Sequence, residues 1–187
     1  RVLKMILRNQ DGVLPAVPEK TMAEADLIEA TLSAVKHMEN YLASMQLDRG
    51  LAEVMAAVRE GNRYFEQMAP WQLAKEGRTE DLNRVLYSAA ECLRIVSGLL
   101  YPVMPGKMTA LRRGLGIPEA ELVPHATKLG QWGGVQAGTR ISDVGSLFPR
   151  VEQREKAPPP DRSKKAAKKK EPVMEMIDIS DVGKVQL

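Results

Sequence analysis

The sequence NRYFEQMAPWQLAK, residues 62–75, decides how this chain folds. Its first half continues an amphipathic helix, and Pro70 then interrupts that helix. Proline has no backbone N–H, and its ring clashes with the carbonyl group four residues earlier, so a helix must bend or restart here. Trp71 follows directly and is one of only two tryptophans in the chain. The sequence therefore predicts a large flat aromatic side chain at a helix break.

Two roles are open for Trp71. An aromatic ring at a break, flanked in sequence by Arg63 and Lys75, suits stacking on an unpaired nucleic-acid base. The alternative is that the indole fills the hydrophobic core beside the bend. On residue type alone the core role is the more common one, because buried aromatic side chains dominate protein cores.

The composition predicts one domain, or one domain with appendages, around an aliphatic core. Of the 187 residues, 44% are hydrophobic but only 4% are aromatic, and 10 are methionines, which fill gaps between helices. The net charge of +3 at pH 7 says little about partners. The single cysteine, Cys92, excludes an internal disulfide and any metal site made of several cysteines, and its apolar helical surroundings favour an inert buried thiol. No apolar run is long enough to predict a membrane span.

Helical periodicity predicts an all-α fold, an antiparallel helical bundle over residues 1–116. Apolar residues recur at intervals of three and four, and no alternating strand pattern occurs before residue 115. The predicted helices cover residues 1–9, 21–46, 48–69, 71–77, 79–101 and 108–115.

Turn and capping residues mark the ends of these helices. Thr21 and Glu24 form a capping-box pattern, in which each side chain accepts a hydrogen bond from the backbone of the other. Asp48 is expected to cap the third helix. Pro102 and Pro105 are expected to end the long helix that starts near residue 79.

The remaining third of the chain is predicted to be irregular. Residues 117–152 form a strap that packs on the bundle or on a neighbouring domain. Trp132, in the glycine-rich stretch GQWGGVQAGTRI, is expected to anchor the strap in an apolar pocket, and LFPRVE forms a short apolar anchor.

Residues 153–173, rich in lysine and proline, are predicted to be a disordered basic linker, because they cannot bury enough surface to order the chain. The lysines either contact a phosphate backbone or serve as a solubilising tether. Residues 174–187 alternate like the first strand of a further domain. The chain starts within a helical pattern and ends on a strand-like one, so we expect it to be a piece of a longer protein.

No catalytic constellation is visible. His37 and His125 are the only histidines, and neither has a partner at metal-ligand spacing. The sequence contains no nucleophile-elbow, P-loop or dinucleotide-binding motif. Most carboxylates on the helices are spaced against lysine or arginine, as on a solvated face. The sequence therefore predicts a binding module with no catalytic residue, metal site or cofactor of its own.

The order of motifs resembles a known family. NRYFEQMAPWQLAK and the following RTEDLNRVLYSAAECLRIVSGLLYPVMP resemble the anticodon-binding helical domain of bacterial methionyl-tRNA synthetases, which are class I synthetases. RVLKMILRNQDGVLP is similar to the end of that domain's first helix, and LFPRVE to the segment that returns toward the catalytic domain. EMIDISDVGKVQL resembles the start of the family's optional C-terminal OB-fold domain, which binds tRNA and dimerises the enzyme.

The resemblance implies which side chains read the anticodon. The family's anticodon tryptophan falls on Trp71, which would stack on the first base of CAU. The family's first helix supplies an asparagine and, four residues later, an arginine. The arginine falls on Arg1, and the asparagine would precede the first residue. Arg8 lies two helical turns beyond Arg1 and is a candidate for a phosphate or base contact, with a free exposed arginine as the alternative.

The implied function is recognition of the CAU anticodon of methionine tRNA by part of a cytoplasmic ligase that joins methionine to this tRNA using ATP. ATP and zinc would belong to a catalytic domain, whose HIGH-like and KMSKS-like motifs do not occur here, and a homodimer would form through the C-terminal domain. The alternative is a helical protein–protein interaction module with a basic tail, in which Trp71 packs inside the bundle. An enzyme that uses His37 or His125 is a third interpretation.

Overall fold

The computed structural model describes residues 1–16 and 21–149. In these residues the fold is an all-α bundle, as the sequence predicts, and no strand is formed. The basic linker and the strand-like residues 174–187 lie outside the described residues, as do the last residues of the strap. None of the described helices is both long and apolar enough to span a membrane. The helices of the described residues are α1 (Val2–Asn9), α2 (Ala25–Ala43), α3 (Leu47–Gln67), α4 (Pro70–Lys75), α5 (Thr79–Leu99), α6 (Pro105–Gly114) and α7 (Ala126–Leu129).

Helix α5 lies at the centre of the bundle, and the six other helices pack against it. The sequence predicts one apolar stripe along this helix, and the structure buries that stripe. It also buries polar residues on the other faces, among them Ser88, Glu91 and Arg94. A helix that is buried on every side is the core of its domain, and it positions everything that packs around it.

Helices α2 and α3 form an antiparallel hairpin beside α5. They approach closely at Gly50, where an added Cβ atom would lie 2.5 Å from the sulfur of Met38. Thr31 of α2 connects the hairpin to α5, because its hydroxyl lies 3.5 Å from the sulfur of Cys92. The hairpin therefore packs on α5 through small side chains that allow close contact.

The predicted capping box at Thr21 is confirmed. The Thr21 N–H donates to Glu24 Oε2 at 3.0 Å, and the Thr21 hydroxyl oxygen accepts from the Ala23 N–H at 3.3 Å. A 3-10 turn, Met22–Glu24, follows before α2 begins. Glu24 is buried and also accepts a hydrogen bond from the Tyr64 hydroxyl at 3.2 Å, so the cap ties the start of α2 to α3.

Several predicted helix ends differ from those in the structure. Gln46, not Asp48, is the N-cap of α3, and Asp48 lies in the first turn, where its charge favours the positive end of the helix dipole. Pro105 does not end a helix but begins α6, since the first helical position needs no N–H and suits the fixed φ of proline. Helix α6 therefore starts three residues before the predicted residue 108. Helix α2 ends before residue 46, with Met45 in the left-handed region at φ 58°.

The core is mostly aliphatic, but three aromatic side chains also belong to it. Tyr64, Phe65 and Tyr87 are all buried. The Tyr87 hydroxyl donates to the carbonyl of Val135 at 3.1 Å, so this ring connects α5 to the strap. The prediction of a purely aliphatic core is therefore wrong at these positions.

Residues 117–149 pack along α5, α6 and the end of α1. Leu14 N–H donates to the carbonyl of Thr139 at 2.9 Å, and Ile141 N–H donates to the carbonyl of Gly12 at 2.8 Å. Trp132 is half-buried and packs against the core cluster. At the other end Leu147 packs against the core cluster, whereas Phe148 is 63% exposed. The last three residues of the LFPRVE motif lie outside the described residues.

Candidate functional site

The backbone around Pro70 fixes the direction of Trp71. Helix α3 ends at Gln67, and Ala69 adopts the left-handed conformation with φ 41°. Pro70 is the first residue of α4, so the chain restarts as a helix with Trp71 in its first turn. Leu73 of the same helix is buried, which anchors α4 on α5. Of the two outcomes predicted at Pro70, a bend or a restart, the structure has the restart.

The indole of Trp71 lies at the edge of the core and not inside it. Its side chain is 43% exposed. It contacts the buried ring of Phe65 edge to face, with the ring centroids 6.4 Å apart and the planes 64° apart. Edge-to-face contact with a buried ring holds the indole in place, while a large part of its surface stays open to solvent.

Arg1 is the residue that lies over the indole. The centre of its guanidinium group lies 6.0 Å from the centroid of the Trp71 ring, within the range of a cation–π interaction. Its Nη1 atom is also 3.9 Å from Glu66 Oε1, and both side chains are more than 60% exposed. An ion pair this exposed is weak, so Arg1 can exchange it for another partner. The structure therefore brings together Trp71 and Arg1, the pair that the resemblance singles out.

Arg8 lies on the exposed face of α1, roughly 10 Å further along the helix than Arg1. Lys4, which the sequence analysis did not single out, is exposed between them, and its spacing places all three cations on one side of the helix. The opposite side of α1 is buried through Leu3 and Ile6. In the part of the chain that the structure describes, Arg8 forms no ion pair and makes no contact with Trp71.

Arg63, which flanks Trp71 in sequence, does not belong to this surface. Its guanidinium group donates to Glu60 Oε1 at 2.8 Å and to Asp26 Oδ2 at 3.4 Å. The hydrogen bond to Glu60 is the main reason why the pKa of Arg63 is raised. Lys75 is exposed at the end of α4. Of the two cations that flank Trp71 in sequence, Arg63 is thus paired with carboxylates elsewhere, whereas Lys75 lies one helical turn beyond the indole on α4.

The histidines and the cysteine form no reactive group in the described residues. His37 Nδ1 lies 3.0 Å from Glu53 Oε2 on the surface of the α2–α3 hairpin, and His125 precedes α7. Within residues 1–16 and 21–149, no three His, Cys, Asp or Glu side chains are placed to hold a metal ion. Burial raises the pKa of the Cys92 thiol to about 11, so at neutral pH it is a neutral thiol and not a nucleophile.

Comparison with known proteins identifies the family. A family model described as the anticodon binding domain of methionyl tRNA ligase matches residues 14–165. This chain belongs to that family. The methionine–tRNA ligase of Caldanaerobacter subterraneus subsp. tengcongensis is 33% identical over 190 residues, which cover 100% of this chain and 29% of that protein. The methionine–tRNA ligase of Deinococcus radiodurans is 33% identical over 176 residues, covering 90% of this chain and 25% of that protein.

Solved structures support the same assignment. The free-state crystal structure of Mycobacterium tuberculosis methionyl-tRNA synthetase matches with a TM-score of 0.75 and 25% identity, over 82% of this chain and 31% of that chain. A structure of the same enzyme bound by methionyl-adenylate matches with a TM-score of 0.72 and 25% identity, over 80% of this chain and 29% of that chain. The chain thus spans about three tenths of the length of the methionyl-tRNA ligases that it matches.

The matched residues divide the candidate site of this methionyl-tRNA ligase domain in two. Trp71 lies inside the family model, whereas Arg1 and Arg8 precede its first matched residue, 14. The similarity to the Caldanaerobacter methionine–tRNA ligase covers the whole chain and so includes α1. The tryptophan is therefore the part of the candidate site that the family model covers.

A buried charge network, which sequence reasoning missed, holds the strap of this methionyl-tRNA ligase domain. Glu91 is fully buried in α5 and accepts hydrogen bonds from Arg94 Nε at 2.9 Å and from the N–H groups of Gly133, Gly134 and Val135 at 2.8–3.0 Å. Arg94 in turn donates to the carbonyls of Lys128 and Gln131. The expectation that helix carboxylates lie on a solvated face is wrong for Glu91.

Arg112 of α6 extends this network. Its Nη1 atom donates to the carbonyl of Arg94 at 3.2 Å and to the Ser97 hydroxyl at 3.3 Å, and its Nη2 atom donates to the carbonyl of Glu121 at 3.0 Å. A signal for the network was present in the sequence: a glutamate and an arginine three residues apart, with apolar residues on both sides of each in AECLRIV. Spacing alone did not distinguish this pair from a surface pair, because both have the same period.

Proposed function

We propose that this chain reads the CAU anticodon of methionine tRNA, as the anticodon-binding part of a methionine–tRNA ligase. The observation that carries the proposal is the exposed indole of Trp71, with the guanidinium group of Arg1 6.0 Å from its ring centroid. A flat ring beside a planar cation, at the edge of a rigid bundle, is suited to holding one unstacked base.

Trp71 supplies the stacking surface in this proposal. Stacking of a base on an aromatic side chain contributes about 1–3 kcal/mol per base. The edge contact with Phe65 and the restart at Pro70 support the proposal, because they fix the indole before the base arrives. A preorganised ring loses little conformational entropy on binding, so most of the stacking energy remains available for affinity.

Arg1 and Arg8 supply charge and hydrogen-bond donors. A guanidinium group has five N–H donors in one plane and no acceptor, so it recognises acceptor atoms on a base edge or a phosphate. We assign Arg1 to the first anticodon base, because it lies against the indole that would hold this base. We assign Arg8 to the phosphate backbone, since it is exposed on the same side of α1.

The exposure of Trp71 favours this proposal over the alternative, a protein–protein interaction module. The alternative requires the indole to pack inside the bundle, whereas 43% of the side chain is exposed. In that alternative, RNA binding would depend only on the lysines of the linker.

The activity of the whole ligase is part of the proposal, because the chain spans only 29% of the Caldanaerobacter relative. In the parent protein, which we place in the cytoplasm, methionine would be joined to tRNA in a catalytic domain that holds ATP and zinc. We propose that the chain divides into a bundle (1–116), a strap (117–152), a linker (153–173) and the start of an OB-fold domain (174–187). In the parent protein, this OB-fold domain would form a homodimer. The chain alone is not expected to aminoacylate tRNA.

The test is a titration of stem-loops carrying CAU or GAU anticodons against the wild-type chain and the Trp71→Ala variant. Loss of the stacking surface should weaken CAU binding by about fivefold to 150-fold, because a stacked base contributes about 1–3 kcal/mol. Phe148→Ala is the control, since Phe148 is an exposed aromatic residue elsewhere on the chain. Equal CAU affinity of wild type and Trp71→Ala would refute the assigned role.

A deletion of residues 153–172 separates the proposal from the interaction module. Binding that depends on Trp71 should keep its preference for CAU after the deletion, although all stem-loops bind somewhat more weakly. Binding that depends on the lysines should disappear with them, and it should show no preference between CAU and GAU, because phosphate contacts carry no sequence information.

A further inference from the structure

A cavity of about 460 Å³ lies between the strap and the ends of α5 and α6. It lies within residues 94–139, and neither Trp71 nor Arg1 lines it. Its volume falls in the range of pockets that hold small molecules. The side chains that matter for its chemistry are Arg94, Arg112, Ile117, His125, Lys128 and Trp132.

Arg112 is the unusual residue in the wall of this cavity. Arg112 is only 4% exposed. Its Nη atoms donate hydrogen bonds only to neutral carbonyl and hydroxyl oxygens. Its Nε atom has no hydrogen-bond partner among the described residues. Across residues 1–16 and 21–149, no carboxylate pairs with this guanidinium group.

The neighbouring carboxylates do not neutralise Arg112. Glu91 already accepts hydrogen bonds from Arg94 and from three backbone N–H groups. Glu121 accepts from Lys128 Nζ at 2.9 Å. The buried part of the network therefore contains two arginines and one glutamate, an excess of one positive charge.

A buried cation without an opposite charge is unfavourable, because it has lost most of its hydration. This burial, together with the nearby charge of Arg94, lowers the pKa of Arg112. An anion in the cavity would supply the missing charge. Charge-assisted hydrogen bonds to guanidinium groups are among the strongest in proteins.

The rest of the cavity wall is of mixed character. Lys128 and Glu121 both line the cavity and pair with each other at 2.9 Å, so together they add no net charge, and His125 also belongs to the lining. Ile117, Leu115 and the half-buried ring of Trp132 add an apolar surface. A pocket with a buried cation and an apolar aromatic wall fits a ligand that has an anionic group at one end and a flat apolar body at the other.

We propose that this cavity is a binding site for a small organic anion, a carboxylate or a phosphate carried on a flat apolar body, with Arg112 as the group that contacts the anion. The site does not depend on anticodon reading, because Trp71 and Arg1 do not line it. Binding would also join the strap to α6, since Trp132 and Arg112 belong to these two parts of the fold.

The experiment uses the full 187-residue chain with Trp71→Phe, so that Trp132 is the single fluorescent tryptophan. Benzoate, phenyl phosphate and the uncharged benzyl alcohol are titrated at constant ionic strength. Benzoate and phenyl phosphate distinguish a carboxylate site from a phosphate site. At least one of them should bind saturably with a Kd on the order of 1 mM, typical of small ligands, and benzyl alcohol should bind far more weakly.

Arg112→Gln should weaken binding of the preferred anion about tenfold or more, because it removes the charge and most donors. Arg113→Gln is the matched control, since the adjacent Arg113 is exposed, pairs with Glu119 at 2.6 Å and does not line the cavity. Gln136→Glu, at an exposed lining position, tests the site without touching the buried network. It should weaken both anions several-fold and leave benzyl alcohol unchanged.

Three results would overturn the proposal: no saturable binding by either anion, equal binding of benzyl alcohol, or equal effects of Arg112→Gln and Arg113→Gln. If Arg112→Gln does not fold, Gln136→Glu decides, and unchanged anion binding in that variant is contrary to the proposal. Stem-loop binding is measured separately, on chains that keep Trp71. Its failure would concern Trp71 and not this cavity.

Discussion

At the scale of single residues, backbone conformation matters more than residue type. The aromatic ring of Trp71 is compatible with a core position, yet 43% of the side chain is exposed. The reason lies in the preceding residues: Ala69 is left-handed and Pro70 begins a new helix, so the indole leaves the bundle at its edge. Sequence reasoning found the break from Pro70 because a missing N–H is a local property. The direction in which the indole points depends on its contacts with Phe65 and Arg1, and these contacts form only in the folded chain.

Cys92 gives a prediction about pH at the same scale. Burial raises its pKa from 9.0 to about 11, so the folded chain keeps this proton in a range where the unfolded chain releases it. The stabilising contribution is fully present below pH 9 and is lost as the pH rises toward 11. Between pH 8 and pH 11 the wild type should lose about 2 kcal/mol more of its unfolding free energy than Cys92→Ala, because one pKa unit corresponds to about 1.4 kcal/mol.

Urea denaturation of both proteins at a series of pH values measures this difference. Tyrosines and lysines titrate in both proteins, so their contributions cancel in the comparison. Parallel pH profiles would contradict the burial of the thiol. A thiol reagent at pH 8 is an independent check, since folded Cys92 should react much more slowly than the unfolded chain.

At the scale of elements, the sequence predicts what periodicity encodes and misses what tertiary contacts decide. The apolar stripe of α5 and the capping box at Thr21 follow from local spacing, and both are present. Pro105 was assigned to a helix end because proline is compatible with both the end and the first position of a helix. The buried role of Glu91 is missed because its partners, the N–H groups of residues 133–135, lie more than 40 positions away.

The Glu91 network gives the first prediction at this scale. Glu91→Gln removes the charge that pairs with buried Arg94 and should lower the unfolding free energy by about 3–5 kcal/mol, as expected when a buried pair loses one partner. Glu80→Gln, at an exposed position of the same helix, should change it by less than about 1 kcal/mol. Urea denaturation measures both. Similar values for the two variants would mean that Glu91 is not an essential part of the strap contact.

The joint between α6 and the strap gives the second prediction. Gly116 has φ +72°, and an added Cβ atom would clash with the backbone carbonyl oxygen of Arg140. Gly116→Ala should therefore lower the unfolding free energy by about 3 kcal/mol, since both the left-handed conformation and a backbone clash are unfavourable. Gly138 is also left-handed, but there is open space where an added Cβ atom would lie. Gly138→Ala should therefore lower the unfolding free energy only by the cost of the left-handed conformation, about 1–2 kcal/mol.

Gly130→Ala completes this series, because Gly130 has an ordinary φ of −73° and nothing within 4 Å of an added Cβ atom. Its effect should be neutral or slightly stabilising. Thermal or urea denaturation ranks the three variants. A Gly116→Ala protein as stable as Gly138→Ala would show that the strap moves freely at this joint.

At the scale of the whole molecule, α5 connects two surfaces with different chemistry. Helices α1 and α4, which carry Arg1 and Trp71, pack on α5, and so does α7 of the strap beside the Arg112 cavity. The polar network, the cavity and the residues proposed to read the anticodon thus all contact one central helix. A change in the packing of α5 should therefore alter both surfaces. Substitutions of exposed residues on one surface should leave the other surface unchanged.

The electrostatic part of RNA binding belongs to this scale, because it depends on the summed charge facing the RNA. In the proposed complex, the exposed Arg8 contacts phosphate, and each phosphate contact contributes about −0.7 to −0.9 to the slope of log K against log salt. Arg8→Gln should therefore make this slope shallower by about that amount and weaken CAU and GAU stem-loops equally, because a phosphate contact carries no sequence information. The control is Arg113→Gln, because Arg113 of α6 is exposed and pairs with Glu119. This variant should leave the slope unchanged. The measurement is a salt series of stem-loop titrations with the two variants, both lacking residues 153–172 so that the linker lysines do not contribute. Identical slopes for the two variants would remove Arg8 from the RNA contact, and a loss confined to CAU would move it from the phosphates to a base.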